Sequence, residues 1–348
     1  MYIRRILVIV ALLIALGMAG FSYFVYNTLL VPNTAFEEDY VNIYIKSNSN
    51  YSEVYHQLEP LLKHPEKFDI VASQKKYINN IRPGRYILSK DMTNNDIITV
   101  LRSRNTPVSV VFNNQERLPQ LAGRIAQQIE ADSLELLQTM TDSVFLSLHD
   151  FKTETALNMY IPNKYEFYWN TSAERFRERM LSEYKRFWNE KRLAQAEKIG
   201  LSPSEVQNLA SIVQKETSMV DERQRVAGVY MNRIKNGWKL EADPTVIYAL
   251  KNRGLDYDTT TIKRVLYKDL KVESPYNTYL NEGIPPGPIA MADISSIDAV
   301  LNYENHDYFF FVADPSNPGY HKFAKTYAQH NRNKNEYVRW LSKMKINR

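Results

Sequence analysis

At 348 residues, 44% hydrophobic and 24% charged, the chain is long enough for two folded domains of roughly 150 residues, and its balance excludes wholesale disorder and a multi-span transporter. It has no cysteine, which excludes disulfide scaffolds, Cys-ligated zinc, iron–sulfur clusters and thiol nucleophiles. The net charge of +5 is mild and its basic residues are spread along the chain, so no nucleic acid partner is expected. None of the 11 glycines falls in a GxGxxG or GxxxxGK[ST] pattern, which argues against dinucleotide and P-loop sites.

Arg4 and Arg5 precede a run without charge from Ile6 to Tyr26, long enough at 1.5 Å per residue to span a ~30 Å hydrocarbon core. A cleaved signal peptide is the competing reading, but its apolar region would be about 7–15 residues followed by a small-x-small site. Here the run passes through Phe21, Tyr23, Phe24 and Tyr26 into Leu29 and Leu30. The expectation is an uncleaved anchor over residues 6–28 after a cytoplasmic tail of residues 1–5. By the positive-inside rule the chain from about Pro32 onward lies outside the cytoplasm, in the periplasm, on a single-pass inner-membrane anchor.

Val41–Ile45 alternates as a strand, and Ser52-Glu-Val-Tyr opens a helix with Val54, Leu58, Leu61 and Leu62 on one side. A helix over Phe68–Tyr77, a Pro83-Gly84 turn, a strand over Arg85–Leu88, a helix capped at Asn94 or Asn95 and a strand over Val108–Phe112 follow. Residues 40–112 therefore read as a small α+β module with a boundary near Asn113. Beyond it, 3.6-residue spacing over Pro119–Ile129, Ser133–Met140 and Ala173–Ile199 predicts a mainly helical region, with Tyr308–Val312 as a buried strand. The Pro- and Gly-punctuated stretches DPT (243–245), SPYNTY (274–279) and GIPPGP (283–288) read as binding loops.

Ser202-Pro203-Ser204-Glu205 is a capping box with proline at the first helical position. Val206, Leu209, Ala210 and Val213 form the apolar stripe of that helix, and its period brings Glu216 and Thr217 to the same face near the C-terminus. Burial and the negative end of the helix dipole both raise a carboxyl's pKa, as a general acid working near neutrality requires. The plainer reading is a helix-end glutamate paired with Lys215 or Arg223. Asp221–Gln224 reads as the cap of the next helix, and Asp243-Pro244-Thr245 as an N-cap with proline at N1. Tyr276, Asn277, Thr278 and Tyr279 are candidates to line a cleft, since tyrosine rings stack on sugars and amides bond their substituents. His306, His321 and His330 lack zinc-site spacing, and no GxSxG elbow is present.

LASIVQKET (209–217), DERQRVAGVYMNRI (221–234), ADPTVIYAL (242–250), SPYNTY, GIPPGPI (283–289) and HKFAKTYAQHNRN (321–333) occur in order. Together they resemble the MltG/YceG-like endolytic murein transglycosylases from about residue 41 to residue 333. The resemblance implies that Glu216 is catalytic, that residues 40–112 form a LysM-like glycan-binding module, and that residues 113–348 form an α+β catalytic domain. It implies cleavage of the β-1,4 bond between N-acetylmuramic acid and N-acetylglucosamine to leave 1,6-anhydro ends, terminating nascent strands, with peptidoglycan synthases as partners. It implies no cofactor and no metal. Glu222, Asp243, Tyr276 and Asn277 are supporting candidates that orient substrate or Glu216, with Thr217, Thr245 and Tyr279 beside them. Gln214 stands where many relatives carry glutamate, Glu241 replaces a commoner Gln or Ser, and the segments at Leu118-Pro119 and Ile161–Tyr165 match loosely. A hydrolytic muramidase, with Glu222, Asp243 or Glu273 activating water, and a noncatalytic glycan-binding scaffold remain the alternatives.

Overall fold

The computed structural model describes residues 2–253, 262 and 265–344. It is a mixed helix and strand fold divided into two compact units, the first running to Val110 and reclaiming 127–131 and 165–172, the second taking 111–126, 132–164 and the chain from Ala173 onward.

The first unit begins with α1 (Tyr2–Leu29), whose apolar side chains are exposed along its length. A helix of this length and hydropathy can cross a membrane. Strand β1 (Tyr40–Ile45) is followed by α2 (Tyr51–Leu58) and α3 (Pro65–Gln74). Strand β2 (Gly84–Ser89) pairs antiparallel with β1, and α4 (Asn94–Ser103) follows. Ile43, Ile45, Val54, Leu58, Phe68, Tyr86, Leu88 and Ile97 build one core. Thr93, rather than Asn94 or Asn95, caps α4, because its hydroxyl accepts from Asp96 N in a reciprocal capping box. Asn94 is buried instead, donating to the carbonyl of Thr28 at the end of α1. Strand β3 (Pro107–Phe112) alternates exposed and buried residues, leaving the apolar Val111 exposed between Val110 and Phe112.

In the second unit the predicted first helix is shorter than its pattern, α5 (Leu118–Ala126), and is followed by α6 (Ser133–Met140) and α7 (Ser143–Leu148). Strand β4 (Asn163–Tyr168) enters the stretch 165–172 that belongs to the first unit, where it is the partner of β3. The predicted long helix over 173–199 is two helices, α8 (Ala173–Phe187) and α9 (Glu190–Ile199), because Asn189 turns its side chain to cap Arg192 N and starts a new helix. Next come α10 (Pro203–Glu216), α11 (Arg223–Lys235) and α12 (Asp243–Lys251), then α13 (Ile294–Leu301). The predicted strand near 308–312 is β5 (Phe310–Ala313), half-buried because it is one arm of an antiparallel hairpin with β6 (His321–Ala324). Helix α14 (Tyr327–Lys343) closes the described chain.

Helix α10 is the axis of the core, with Val206, Leu209, Ala210, Ile212 and Val213 packed among Val226, Ala227, Tyr230, Ile297 and Val300. It also buries polar side chains that bolt the 283–293 loop in place. Asn208 donates to the Pro285 carbonyl and Ser211 accepts from Ile289 N. Gln214 donates to the Met291 carbonyl and accepts from Asp293 N. A glutamate at 214 would lose the donor half of that pair, which is why glutamine suits this position. Gly228 on α11 lets the Glu304 backbone approach to where a Cβ would lie 2.4 Å from its carbonyl oxygen.

Candidate active site

Glu216 is the last residue of α10, and Thr217 is its C-cap. Arriving at the end of a buried stripe, the carboxyl is pushed up to about 7, chiefly by burial and further by the negative charge of Asp243, while the Tyr230 hydroxyl, His321 and Arg233 pull it down. The helix C-terminus adds to the upward push. Tyr230, on α11, donates its hydroxyl hydrogen to Glu216 Oε1 across 2.7 Å.

The carboxyl opens into a cavity of about 270 Å³ lined by Glu216, Tyr230, Arg233, Glu241, Asp243, Tyr279, Phe310, Phe311, Tyr327 and His330. Arg233 builds two of its walls, since Nη1 donates to the Leu240 carbonyl at 2.6 Å and Nε to the Phe309 carbonyl at 2.9 Å. Glu241 follows in the left-handed region (φ 48°), a conformation costing about 1–2 kcal/mol for a residue with a side chain, and its carboxylate lies 3.8 Å from the Arg233 guanidinium. His330 stacks on Phe310 at 5.3 Å, and burial together with Lys334 and Arg233 lowers its pKa. Its Nδ1 has no hydrogen-bond partner among the described residues.

The sequence candidates divide by position. Asp243 is the first residue of α12 rather than its cap. Its carboxylate accepts the Tyr279 hydroxyl at 2.7 Å, so both side chains stand in the Glu216 cavity. Thr245 and Asn277 are fully buried and shape the wall behind them. Asn277 holds its loop through the carbonyls of Leu270 and Val272 and accepts from Tyr279 N. The Thr245 and Thr278 hydroxyls meet at 2.9 Å, and Thr278 also accepts from Ala242 N. Thr217 is buried, its hydroxyl accepting from Met219 N.

Glu222 occupies the N-cap position of α11, as the sequence reading of Asp221–Gln224 expects, but its side chain makes no capping hydrogen bond. It is buried, and its two oxygens meet His321 N and Nδ1, each at 2.7 Å, fastening β6. Tyr276 packs on Tyr248 and lines a different cavity. Tyr230, Arg233, Phe310, Phe311 and Tyr327 were not singled out from the sequence. The Tyr230-x-x-Arg233 spacing on α11 was the available signal, since residues three apart share a helix face. Among the described residues, no group of three or more His, Asp or Glu side chains is arranged to hold a metal ion.

A raised carboxyl at the floor of a cavity walled by tyrosines, acids and an arginine brings together the groups that general acid–base chemistry uses. The family model of the YceG-like family matches residues 43–336, and the chain belongs to that family. It is 30% identical to an endolytic murein transglycosylase of Bacillus subtilis over 92% of this chain and 91% of that protein. It is 28% identical to an endolytic murein transglycosylase of Streptococcus pneumoniae over 97% of this chain, spanning 65% of that longer protein. The crystal structure of a yceG-like protein from Listeria monocytogenes matches with a TM-score of 0.57 and 28% identity, over 84% of this chain and 98% of the other.

Proposed function

We propose that this chain is a lytic murein transglycosylase that cuts the β-1,4 bond between N-acetylmuramic acid and N-acetylglucosamine within peptidoglycan strands. The observation that carries the reading is Glu216, a carboxyl held near pKa 7 with its Oε1 oriented by Tyr230. Protonated, it gives its proton to the glycosidic oxygen as the C1–O bond breaks. The muramyl 6-hydroxyl then closes on C1 and returns a proton to the carboxylate, so no water is consumed and the acid is regenerated. Holding that hydroxyl beside C1 supplies the proximity advantage. Arg233, Tyr279 and His330 offer donors and a face to the bound sugars.

In this reading residues 40–112 are a LysM-like glycan-binding module and residues 113–348 carry the chemistry. The apolar α1 anchors the protein in the inner membrane, with Arg4 and Arg5 on the cytoplasmic side. Such a placement brings the enzyme to nascent strands, whose growth its cleavage would terminate, and to the synthases that make them. The test is digestion of purified sacculi by the full chain and by Glu216→Gln, with products identified by mass spectrometry. Anhydro-muramyl ends from the wild type, absent with the folded variant, are expected. Equal cleavage by the variant would remove Glu216 from the mechanism.

A further inference from the structure

Helix α1 joins the first unit without a free linker. Thr28, on its last turn, is buried, and Leu29 packs on the core of that unit. By Pro32 the chain is already paired again, Pro32 with Thr93 and Thr34 with Leu62.

Two buried asparagines fix the joint. Asn33 donates from Nδ2 to the His64 carbonyl at 3.0 Å and to Asn94 Oδ1 at 2.7 Å, and its Oδ1 accepts from His64 N at 2.8 Å. Asn94 in turn donates to the Thr28 carbonyl at 2.8 Å, at the end of α1 where carbonyls lack an intrahelical partner. Backbone bonds run from Asn33 N to the Met92 carbonyl and from Lys63 N to the Asn33 carbonyl. The Lys67 ammonium reaches Asn27 Oδ1 across 2.7 Å. Pulling α1 away would strip partners from both buried amides, so the helix end and the unit move as one body.

The length of α1 sets the depth of this joint. The uncharged run from Ile6 to Tyr26 rises about 31 Å at 1.5 Å per residue, the thickness of a hydrocarbon core. With Arg4 and Arg5 at one interface, Tyr23 and Tyr26 come to the other, where tyrosine rings settle. Asn27 then stands among the headgroups, and Lys67 stands there with it. Ile70, three positions after Lys67 on the same face of α3, is an apolar side chain left 40% exposed. Lys63, also exposed, immediately precedes the His64 that Asn33 holds. An apolar side chain between two ammonium groups suits the boundary between acyl chains and phosphates.

We propose that the first unit is seated directly on the headgroup layer of the extracytoplasmic leaflet, through the surface that Lys63, Lys67 and Ile70 make around the end of α1, with both lysines on lipid phosphates. The proposal rests on reading α1 as an uncleaved anchor. It assigns this surface to lipid and leaves the rest of the unit for glycan.

The test uses the full chain in vesicles of phosphatidylethanolamine and phosphatidylglycerol. The chain has no cysteine of its own, so a fluorophore on Lys63→Cys, Ile70→Cys or Asn48→Cys is unique. Asn48 lies in the turn after β1, whose start at Tyr40 pairs with Ser89 near the joint and whose end is about 20 Å further on at 3.3 Å per residue. Lipids carrying a nitroxide on the headgroup should quench the labels at positions 63 and 70 severalfold more than the label at 48. Nitrogen–phosphorus dipolar dephasing in solid-state NMR should connect lysine Nζ to lipid phosphorus and be lost in the double variant Lys63→Gln, Lys67→Gln. Quenching at 63 and 70 no stronger than at 48, or dephasing unchanged in the double variant, overturns the seat. Energy transfer between labelled copies in place of lipid quenching also overturns it, because the surface is then an interface between two chains. Alkaline carbonate extraction separates the two readings. Release of the chain from the vesicles overturns the anchor and the seat together, whereas retention with unquenched labels overturns the seat alone.

Discussion

The Tyr230 hydroxyl and Glu216 Oε1 lie 2.7 Å apart, joining the middle of α11 to the last residue of α10. That bond favours the ionised carboxylate and works against the burial that lifts Glu216 to about 7. Tyr230→Phe keeps the ring in the core and removes only the donor, so the Glu216 pKa should rise further. The alkaline limb of the pH–rate profile should then move to higher pH, with turnover lowered about tenfold or more by the loss of orientation. An unmoved limb in a folded variant would show that the bond does not tune the acid.

Glu216→Gln carries two expectations of opposite sign. Cleavage should fall by at least about 10². Stability should rise relative to the wild type, by an amount that grows as pH climbs from about 4.5 to about 7 and is constant above it. A folded-state pKa of about 7, above the ordinary 4.5, gives a contribution fully present below the unfolded value and lost as pH rises through the folded one. Glutamine never ionises, so the variant should exceed the wild type by up to about 3 kcal/mol above pH 7 and by nothing near pH 4. Thermal unfolding at the two pH values checks this, and an equal gain at both would contradict a buried, raised carboxyl.

How much of this site was legible follows from where its information resides. Helix α10 was written locally: the Ser202–Glu205 capping box, Pro203 and the stripe from Val206 to Val213 place Glu216 at the helix end from one short segment. The role of Asp243 was not, because a cap and a cavity carboxylate share one sequence signature. Ala242 takes the N-cap position, and the Asp243 side chain finds its partner in Tyr279, thirty-six positions away. Glu222 illustrates the same limit, since its partner His321 comes from a distant hairpin. The break at Asn189 is also a local cap that a continuous 3.6-residue period over Ala173–Ile199 conceals.

Glu222 therefore has a specific expected behaviour. It is 4% exposed and bonded to His321 through both oxygens, and His321 packs edge-on against Phe311, a wall of the Glu216 cavity. Glu222→Gln should cost about 1–3 kcal/mol of stability, the penalty for weakening a buried charged bond. Turnover of the folded fraction should fall less than about tenfold. Chemical denaturation beside active-site-normalised rates would decide it. A drop of 10³ in turnover at unchanged stability would make Glu222 a participant in the chemistry.

Asp243 is the residue on which transglycosylase and hydrolase part. It shares the cavity with Glu216 and accepts the Tyr279 hydroxyl, so the cavity offers a second carboxylate, which an inverting hydrolase would place about 6.5–9.5 Å from the acid to hold water. If the muramyl 6-hydroxyl is the nucleophile, Asp243 is needed only as a charge that raises the Glu216 pKa. Asp243→Asn preserves the acceptor for Tyr279 and removes that charge. The Glu216 pKa should fall, and the alkaline limb should move to lower pH, opposite to its movement in Tyr230→Phe, with cleavage retained below the limb. Digestion in oxygen-18 water completes the argument, because closure of an internal hydroxyl consumes no water and reaches effective concentrations of about 10⁵ M or more. Wild type and Asp243→Asn should both yield unlabelled 1,6-anhydro ends. Labelled reducing ends from the wild type, lost together with activity in Asp243→Asn, would establish hydrolysis with Asp243 as the base.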